Sequence, residues 1–158
     1  MPPITFSKLM DAISDGKIHK IDKILQKNPQ FLKNSYQDRK SMGNNDDYGT
    51  TPWHKAAAHW SLFNTDSKIP IEIFSLFIKV AIENHYSVRE LLNKQDYSGD
   101  TPLHRLCKLK RKFSDQTCHV FDQMVKLLVD NGIDMYIQNK VFKSGVFIIS
   151  STISMYYF

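Results

Sequence analysis

The sequence predicts an all-α fold, a solenoid of antiparallel helix pairs joined by finger-like β-turn loops. The first observation is an internal repeat: residues 46–54 and 96–104 share the pattern Asp-x-x-Gly-x-Thr-Pro-apolar-His at a spacing of 50 residues. The second is that apolar residues recur at helical spacing in the stretches between and after the two copies. Because one such unit cannot bury its apolar face alone, neighbouring units are expected to stack.

The repeated motif contains the residues that a tight turn and a helix start require. Each copy has a glycine that can adopt positive φ, a threonine at the N-cap position, a proline at the first helical position and a histidine. We expect the two histidines to hydrogen-bond backbone groups or the threonine hydroxyl, a structural role that competes with metal binding or general base catalysis. These motif residues are Gly49, Thr51, Pro52 and His54, and Gly99, Thr101, Pro102 and His104.

A first helix pair is predicted ahead of the first copy. Its first helix is capped by Thr5 or Ser7 and ends at Asp15-Gly16, and its second helix ends at Asn28-Pro29. Residues 31–45 are polar and rich in turn formers, so we expect a long finger-like connection there.

Two further helix pairs follow the two motif copies. The second pair is predicted over 52–60 and 70–84, and the third over 102–110 and 118–131, with Gly132 as a C-terminal cap. Trp53 and Leu103 begin the inward-facing stripes of the two first helices. The helix over 70–84 is apolar on so much of its circumference that it is expected to lie between neighbours.

The motif resembles the ankyrin repeat, whose signature is Thr-Pro-Leu-His-x-Ala in a unit of about 33 residues. The first copy continues His-Lys-Ala-Ala-Ala, close to that signature, and the second has Leu106 and Cys107 at the small positions. The resemblance implies an ankyrin-repeat solenoid. It divides the chain into a repeat domain over 1–140 and an atypical tail, with repeats at approximately 4–45, 46–95 and 96–140.

The spacing of 50 residues exceeds the family unit by roughly 17. We place the excess at 61–69 and 84–89 in the first copy, and a smaller insertion at 110–116 in the second. Such insertions can form part of a binding face, and simple growth of surface loops explains them equally well.

The tail, residues 141–158, departs from the pattern. It is rich in β-branched and aromatic residues where a fourth Thr-Pro-x-His would stand. Two interpretations are open: a makeshift cap over the end of the stack, or a truncated fourth repeat. We favour the second.

The composition is that of one folded domain. Of 158 residues, 42% are apolar and 23% charged, with a net charge of +5. Two cysteines, Cys107 and Cys118, suit a reducing compartment. We expect no signal peptide, because the N-terminus leads into an amphipathic helix, and no membrane span, because no stretch reaches about 18 apolar residues.

No pattern for catalysis is present. The chain has no glycine-rich phosphate loop, paired-carboxylate motif or serine nucleophile elbow. His104 and Cys107 could share a helical face with Cys118-His119 nearby, but we expect Cys107 to be a buried apolar filler rather than a zinc ligand or nucleophile. We therefore predict no enzyme activity, no catalytic residue, no metal and no cofactor.

The densest charged feature is a basic run on the helix over 102–110 and beyond it. We interpret it as a solvated helix C-terminus, where cations are favoured. The alternative is a contact patch for an acidic protein, anionic lipid or nucleic acid. Its residues are Arg105, Lys108, Lys110, Arg111 and Lys112.

The resemblance to ankyrin repeats implies a protein-binding module: a monomeric cytoplasmic scaffold or adaptor with one partner protein and no small-molecule substrate. In that family, partners contact the finger tips and the exposed positions of the first helices. Tyr48 and Tyr97 are either exposed binding residues or packed within the fingers. The positions implied are Asp47, Tyr48, Thr50, Ala58 and His59 in one unit, and Tyr97, Ser98, Asp100, Lys108 and Leu109 in the next.

Two alternatives accompany this interpretation. The chain could be the targeting fragment of a larger multidomain enzyme. Ankyrin units with long insertions also occur in proteins that intracellular bacteria deliver into host cells, in which case the location would be the host cytosol.

Overall fold

The computed structural model describes residues 5–36, 49–59, 68–110 and 118–140. In these ranges the regular structure is helical, which confirms the predicted all-α class. Seven α-helices and one 3₁₀ helix are present in the described ranges: α1 Phe6–Ser14, α2 Ile18–Lys27, the 3₁₀ helix Pro29–Lys33, α3 Pro52–His59, α4 Ile69–Glu83, α5 Val88–Leu92, α6 Pro102–Lys110 and α7 Cys118–Asp130.

The helices pack in two layers. The first helices α1, α3 and α6 lie side by side in chain order, and the second helices α2, α4 and α7 form the other layer in the same order. Each first helix also packs on the second helix that follows it. The described chain is therefore a stack of three helix pairs, as a solenoid requires.

The three first helices share one pattern of burial. Along each of these helices the order is two buried residues, one less buried residue, two buried residues and a second less buried residue. A first helix is covered by its neighbours and by the second layer, so only positions three apart remain on the open side. The open positions form two rows across the stack: Asp11, Lys55 and Arg105, and Ser14, Ala58 and Lys108.

The core is centred on Trp53, which is fully buried. Its ring meets those of Phe74 and Phe77 edge-on, with ring centroids 5.9 and 5.2 Å away. Its indole Nε1 donates a hydrogen bond to the carbonyl oxygen of Leu32 at 3.2 Å. One side chain thus joins α3 to α4 and to the 3₁₀ helix.

The prediction of a finger over 31–45 is wrong for the first residues of that range. Residues Pro29–Lys33 form a 3₁₀ helix with Leu32 fully buried. Its apolar residues pack on the core instead of projecting into solvent, and the Leu32 carbonyl satisfies the buried Trp53 N–H. The remainder of that prediction, beyond Tyr36, lies outside the described residues.

Two local expectations also need correction. Thr5 occupies the N-cap position of α1, but its hydroxyl lies 3.0 Å from that of Ser7 and caps no backbone N–H. The predicted loop over 84–89 is interrupted by α5, whose N-cap Ser87 accepts a hydrogen bond from the N–H of Glu90 at 3.3 Å. The predicted insertions at 61–69 and 110–116 fall almost entirely outside the described residues.

Candidate protein-binding surface

The finger that precedes α6 is a tight turn closed by hydrogen bonds. The N–H of Asp96 donates to the carbonyl of Asp100, and the N–H of Gly99 donates to that of Asp96, both at 2.9 Å. The Asp96 carboxylate accepts from the N–H groups of Ser98 at 2.8 Å and Asp100 at 3.0 Å. Gly99 has a φ of +75° and Gly49 a φ of +81°, which confirms the predicted need for glycine.

Adjacent fingers also touch through their backbones. A Cβ atom on Gly49 would lie 2.9 Å from the backbone nitrogen of Tyr97, and one on Gly99 would lie 2.9 Å from that of Lys140. The Lys140 N–H donates to the Ser98 carbonyl at 3.0 Å. Glycine is therefore required by the close approach of the next finger as well as by φ.

We expect Gly99→Ala to lower the free energy of unfolding by about 3 kcal/mol, because it combines backbone strain with a clash against Lys140. Gly132→Ala is the matched control. Gly132 has a φ of +87°, but its Cβ would meet only the flexible side chain of Arg89, at 3.4 Å and beyond. We expect about 1 kcal/mol for this control in urea unfolding. Equal losses in the two variants would show that finger contact does not matter.

The two motif histidines are structural, as predicted. His54 Nδ1 lies 2.7 Å from the Thr51 hydroxyl and accepts from the Thr51 N–H at 3.2 Å. The ring proton is therefore on Nε2, which donates to the carbonyl of Asp100 at 2.8 Å. His54 thus connects the second helix pair to the following finger.

His104 repeats half of this arrangement. Its Nδ1 lies 2.8 Å from the Thr101 hydroxyl and accepts from the Thr101 N–H at 3.1 Å. Its Nε2 is buried and faces the backbone of Ile137 in the next finger, at a geometry short of a regular hydrogen bond. Burial lowers the pKa of His54 to about 4 and also lowers the pKa of His104. Both rings are therefore neutral at pH 7.

A cluster of charged side chains anchors the finger to α6. The Arg105 guanidinium binds Asp96 Oδ2 through Nε at 2.9 Å and Nη2 at 2.5 Å, and its Nε lies 3.6 Å from Asp100 Oδ2. The Lys108 ammonium pairs with the same Asp100 oxygen, and Asn139 Nδ2 donates to Asp100 Oδ1 at 2.6 Å. Both carboxylates are buried, so these cations compensate charges that could not be left unpaired.

This cluster corrects the interpretation of the basic run. Arg105 and Lys108 belong neither to a solvated helix end nor to an open cationic patch, because both bind buried carboxylates of the finger. The side chains of Lys110, Arg111 and Lys112 lie outside the described residues.

The predicted contact positions divide into three groups. Tyr97 is 47% exposed, and Ser98, Ala58 and Lys108 are partly exposed. Thr50 and Asp100 are only 2% and 1% exposed, so their expected position on the open surface is wrong. Asp100 is covered by the Arg105 and Lys108 side chains that pair with its carboxylate. Asp47 and Tyr48, and the side chains of His59 and Leu109, are outside the described residues.

Sequence reasoning missed Tyr136, which is 72% exposed on the turn after α7. Its N–H donates to Asp134 Oδ1 at 2.8 Å, and the N–H of Asp134 donates to Asn93 Oδ1 at 2.6 Å. Asp two residues before the tyrosine is an Asx-turn signal that could have marked this exposed position.

The histidine–cysteine set considered for zinc is described only in part. His104 and Cys107 are both buried, and the side chains of Cys118 and His119 are outside the described residues. Where side chains are described, no group of three or more His, Cys, Asp or Glu could hold a metal ion. Across the same ranges, no helix combines the length and apolar character of a membrane span.

Stacked helix pairs with projecting turns and a shared Thr-Pro-x-His start define a helical repeat protein. Residues 98–140, which contain the third helix pair, match the family model of the ankyrin repeat. This stretch is therefore an ankyrin repeat, as its motif predicted. Ankyrin repeats are protein-interaction modules and are generally not catalytic. No curated protein and no solved structure matches the chain.

Proposed function

We propose that this protein is a non-enzymatic scaffold or adaptor that binds a partner protein through its fingers and the open side of its first helices. The observation that carries the proposal is the position of Tyr97 and Tyr136. Among the described residues the exposed large apolar side chains are these two tyrosines and Ile82. Tyrosine contributes large, rigid contact area at low entropic cost and is enriched in binding hot spots.

The turns that carry these tyrosines are held in place before any partner arrives. Asp96 accepts two backbone hydrogen bonds beneath Tyr97, and Asp134 accepts one beneath Tyr136. The Lys140 ammonium lies 4.4 Å from the centroid of the Tyr97 ring. Such preorganisation reduces the entropy lost on binding. We keep Tyr48 and Asp47 in the proposed surface because of their positions in the repeat motif.

We treat residues 1–140 as one domain of three repeats, because α1, α3 and α6 share one pattern of burial. We also place the protein in a reducing cytoplasm, because the thiol of Cys107 is buried and free. A phosphate-binding role for the basic run is the weaker alternative, because Arg105 and Lys108 are already paired with carboxylates.

The test is capture of the partner by a double variant, Tyr97→Ala with Tyr136→Ala. The partner is first identified by crosslinking pull-down from cytosol, and its affinity is then measured with purified protein. We expect an affinity loss of about 10- to 100-fold with an unchanged melting temperature, because exposed side chains contribute little to folding.

Ile82→Ala is the matched control. Ile82 is 62% exposed near the end of α4, in the other helix layer, and its truncation removes a similar exposed apolar group. An unchanged affinity in the tyrosine variant, or an equal loss in the Ile82 variant, would refute the proposed surface. Steep loss of binding between low and physiological salt in all variants would instead favour the phosphate-binding alternative.

A further inference from the structure

Three exposed lysines lie where one unit of the stack meets the next. The Lys33 ammonium lies 4.3 Å from the centroid of the Tyr86 ring, and the Lys94 ammonium donates to the carbonyl of Lys33 at 3.0 Å. The Lys140 ammonium lies 4.4 Å from the centroid of the Tyr97 ring. Each contact joins one unit or finger to its neighbour, so the three side chains have defined positions although they are exposed.

No described carboxylate forms an ion pair with any of these three lysines. Asp96 and Asp100 are buried and are already bound by cations of α6. The other acidic residues of the stretches that carry the lysines are Glu90 and Asp134, which are exposed and form no ion pair with described residues. Arg89 adds a further exposed cation, so the exposed surface of these stretches has a positive excess. The stretches are 29–36, 84–100 and 132–140.

The lysines follow one another along the stack. Lys33 comes after the first helix pair, Lys94 after the second and Lys140 after the third. Packed helices lie about 8–10 Å apart, so successive units are offset by about that distance. An extended chain advances about 3.3 Å per residue, so carboxylates about three residues apart can meet successive lysines.

We propose that Lys33, Lys94 and Lys140, here called the lysine band, bind an acidic segment of the partner protein. The inference rests on the proposed function and names the chemistry of the partner. The ammonium groups contact Asp or Glu side chains of the segment, and the exposed part of the Tyr97 ring contacts its apolar groups. Lysine suits this role because its ammonium is a point charge on a flexible stem, which tolerates varied carboxylate geometry.

The test uses 12-residue peptides selected from a random phage-displayed library on the immobilised protein. We expect Asp and Glu to be enriched among the selected peptides. The dissociation constant of the tightest acidic peptide is then measured for wild type and for a band variant that combines Lys33→Gln, Lys94→Gln and Lys140→Gln. We expect about tenfold weaker binding, mostly through slower association, and a loss of most of the salt dependence that wild type shows.

A matched triple variant on α2 removes the same charge elsewhere. Lys20, Lys23 and Lys27 are exposed and form no ion pair with described residues. Changing all three to Gln should alter the affinity less than about twofold at physiological salt, because charges beyond a Debye length are screened. Both variants should melt close to wild type, since every changed residue is exposed. If the band variant does not fold, Lys140→Gln alone is measured, with an expected loss of about twofold to threefold.

Two outcomes would overturn the lysine band directly. Equal losses in the two triple variants would show that net charge alone sets the affinity, and selected peptides without acidic enrichment would remove the proposed ligand. A third measurement uses a 12-nucleotide single-stranded DNA. If it binds wild type more tightly than the acidic peptide and loses affinity in the band variant, the band belongs to nucleic acid and the inference is wrong.

The remaining outcomes separate this inference from the proposed function. If the peptides depend on Tyr97 and Tyr136 but not on the lysine band, only the inference fails. If the tyrosine changes have no effect while the band variant weakens binding, the tyrosine surface is wrong and the band stands. If no peptide binds the wild type, both fail.

Discussion

Trp53→Ala should lower the free energy of unfolding by about 3–5 kcal/mol, the range for removing a large buried aromatic side chain. The cost is expected to be high in this range because one ring joins three elements. It packs against Phe74 and Phe77 of α4 and donates to the Leu32 carbonyl of the 3₁₀ helix. The measurement is urea unfolding followed by far-ultraviolet circular dichroism.

Trp53→Phe separates the contributions of packing and hydrogen bonding. Phenylalanine keeps an aromatic ring but leaves the Leu32 carbonyl without its donor, so we expect a smaller loss of about 1–3 kcal/mol. Ile82→Ala, at an exposed site, should change stability by less than about 0.5 kcal/mol. A loss below about 2 kcal/mol for Trp53→Ala would mean that this ring is not the centre of the core.

Acidification should destabilise the fold through His54. Its pKa is lowered to about 4 in the folded protein by burial, against an ordinary value of 6.5. The unfolded chain therefore binds the proton more readily. The stability contribution of neutral His54 is complete above pH 6.5, and it declines as the pH falls from 6.5 through the folded-state pKa of about 4. A difference of this size corresponds to a loss of about 3 kcal/mol.

The measurement is the free energy of unfolding at a series of pH values from 7 to 4 for wild type and His54→Gln. We expect the variant to be less stable at pH 7 but to lose less stability on acidification, because it lacks the titrating group. Burial also lowers the pKa of His104, which therefore contributes in the same direction in both proteins. His19→Gln, at an exposed histidine on α2, is the control and should retain the wild-type slope. Parallel curves for wild type and His54→Gln would contradict the prediction.

The four helices that follow the motif copies were predicted almost to the residue. The interval 102–110 coincides with Pro102–Lys110, and 70–84 is shifted by one residue from Ile69–Glu83. These boundaries depend on local chemistry: a proline at the first turn, a capping position before it and an apolar stripe at helical spacing. The 3₁₀ helix at Pro29–Lys33 also has a proline in its first turn, but the burial of Leu32 and the bond that its carbonyl accepts from Trp53, 21 residues later, come from the tertiary structure.

The candidate site shows the same division between local and long-range causes. The sequence by itself determined the repeat motif, the glycines at positive φ and the bond between His54 and Thr51, because all three depend on residues within one turn of chain. Only the tertiary structure decided that Asp100 is buried rather than exposed, since Lys108, Arg105 and Asn139 meet it from α6 and from the next finger. Exposure is a property of the assembled stack, and for Asp100 it depends in part on Asn139, which is 39 residues away in sequence.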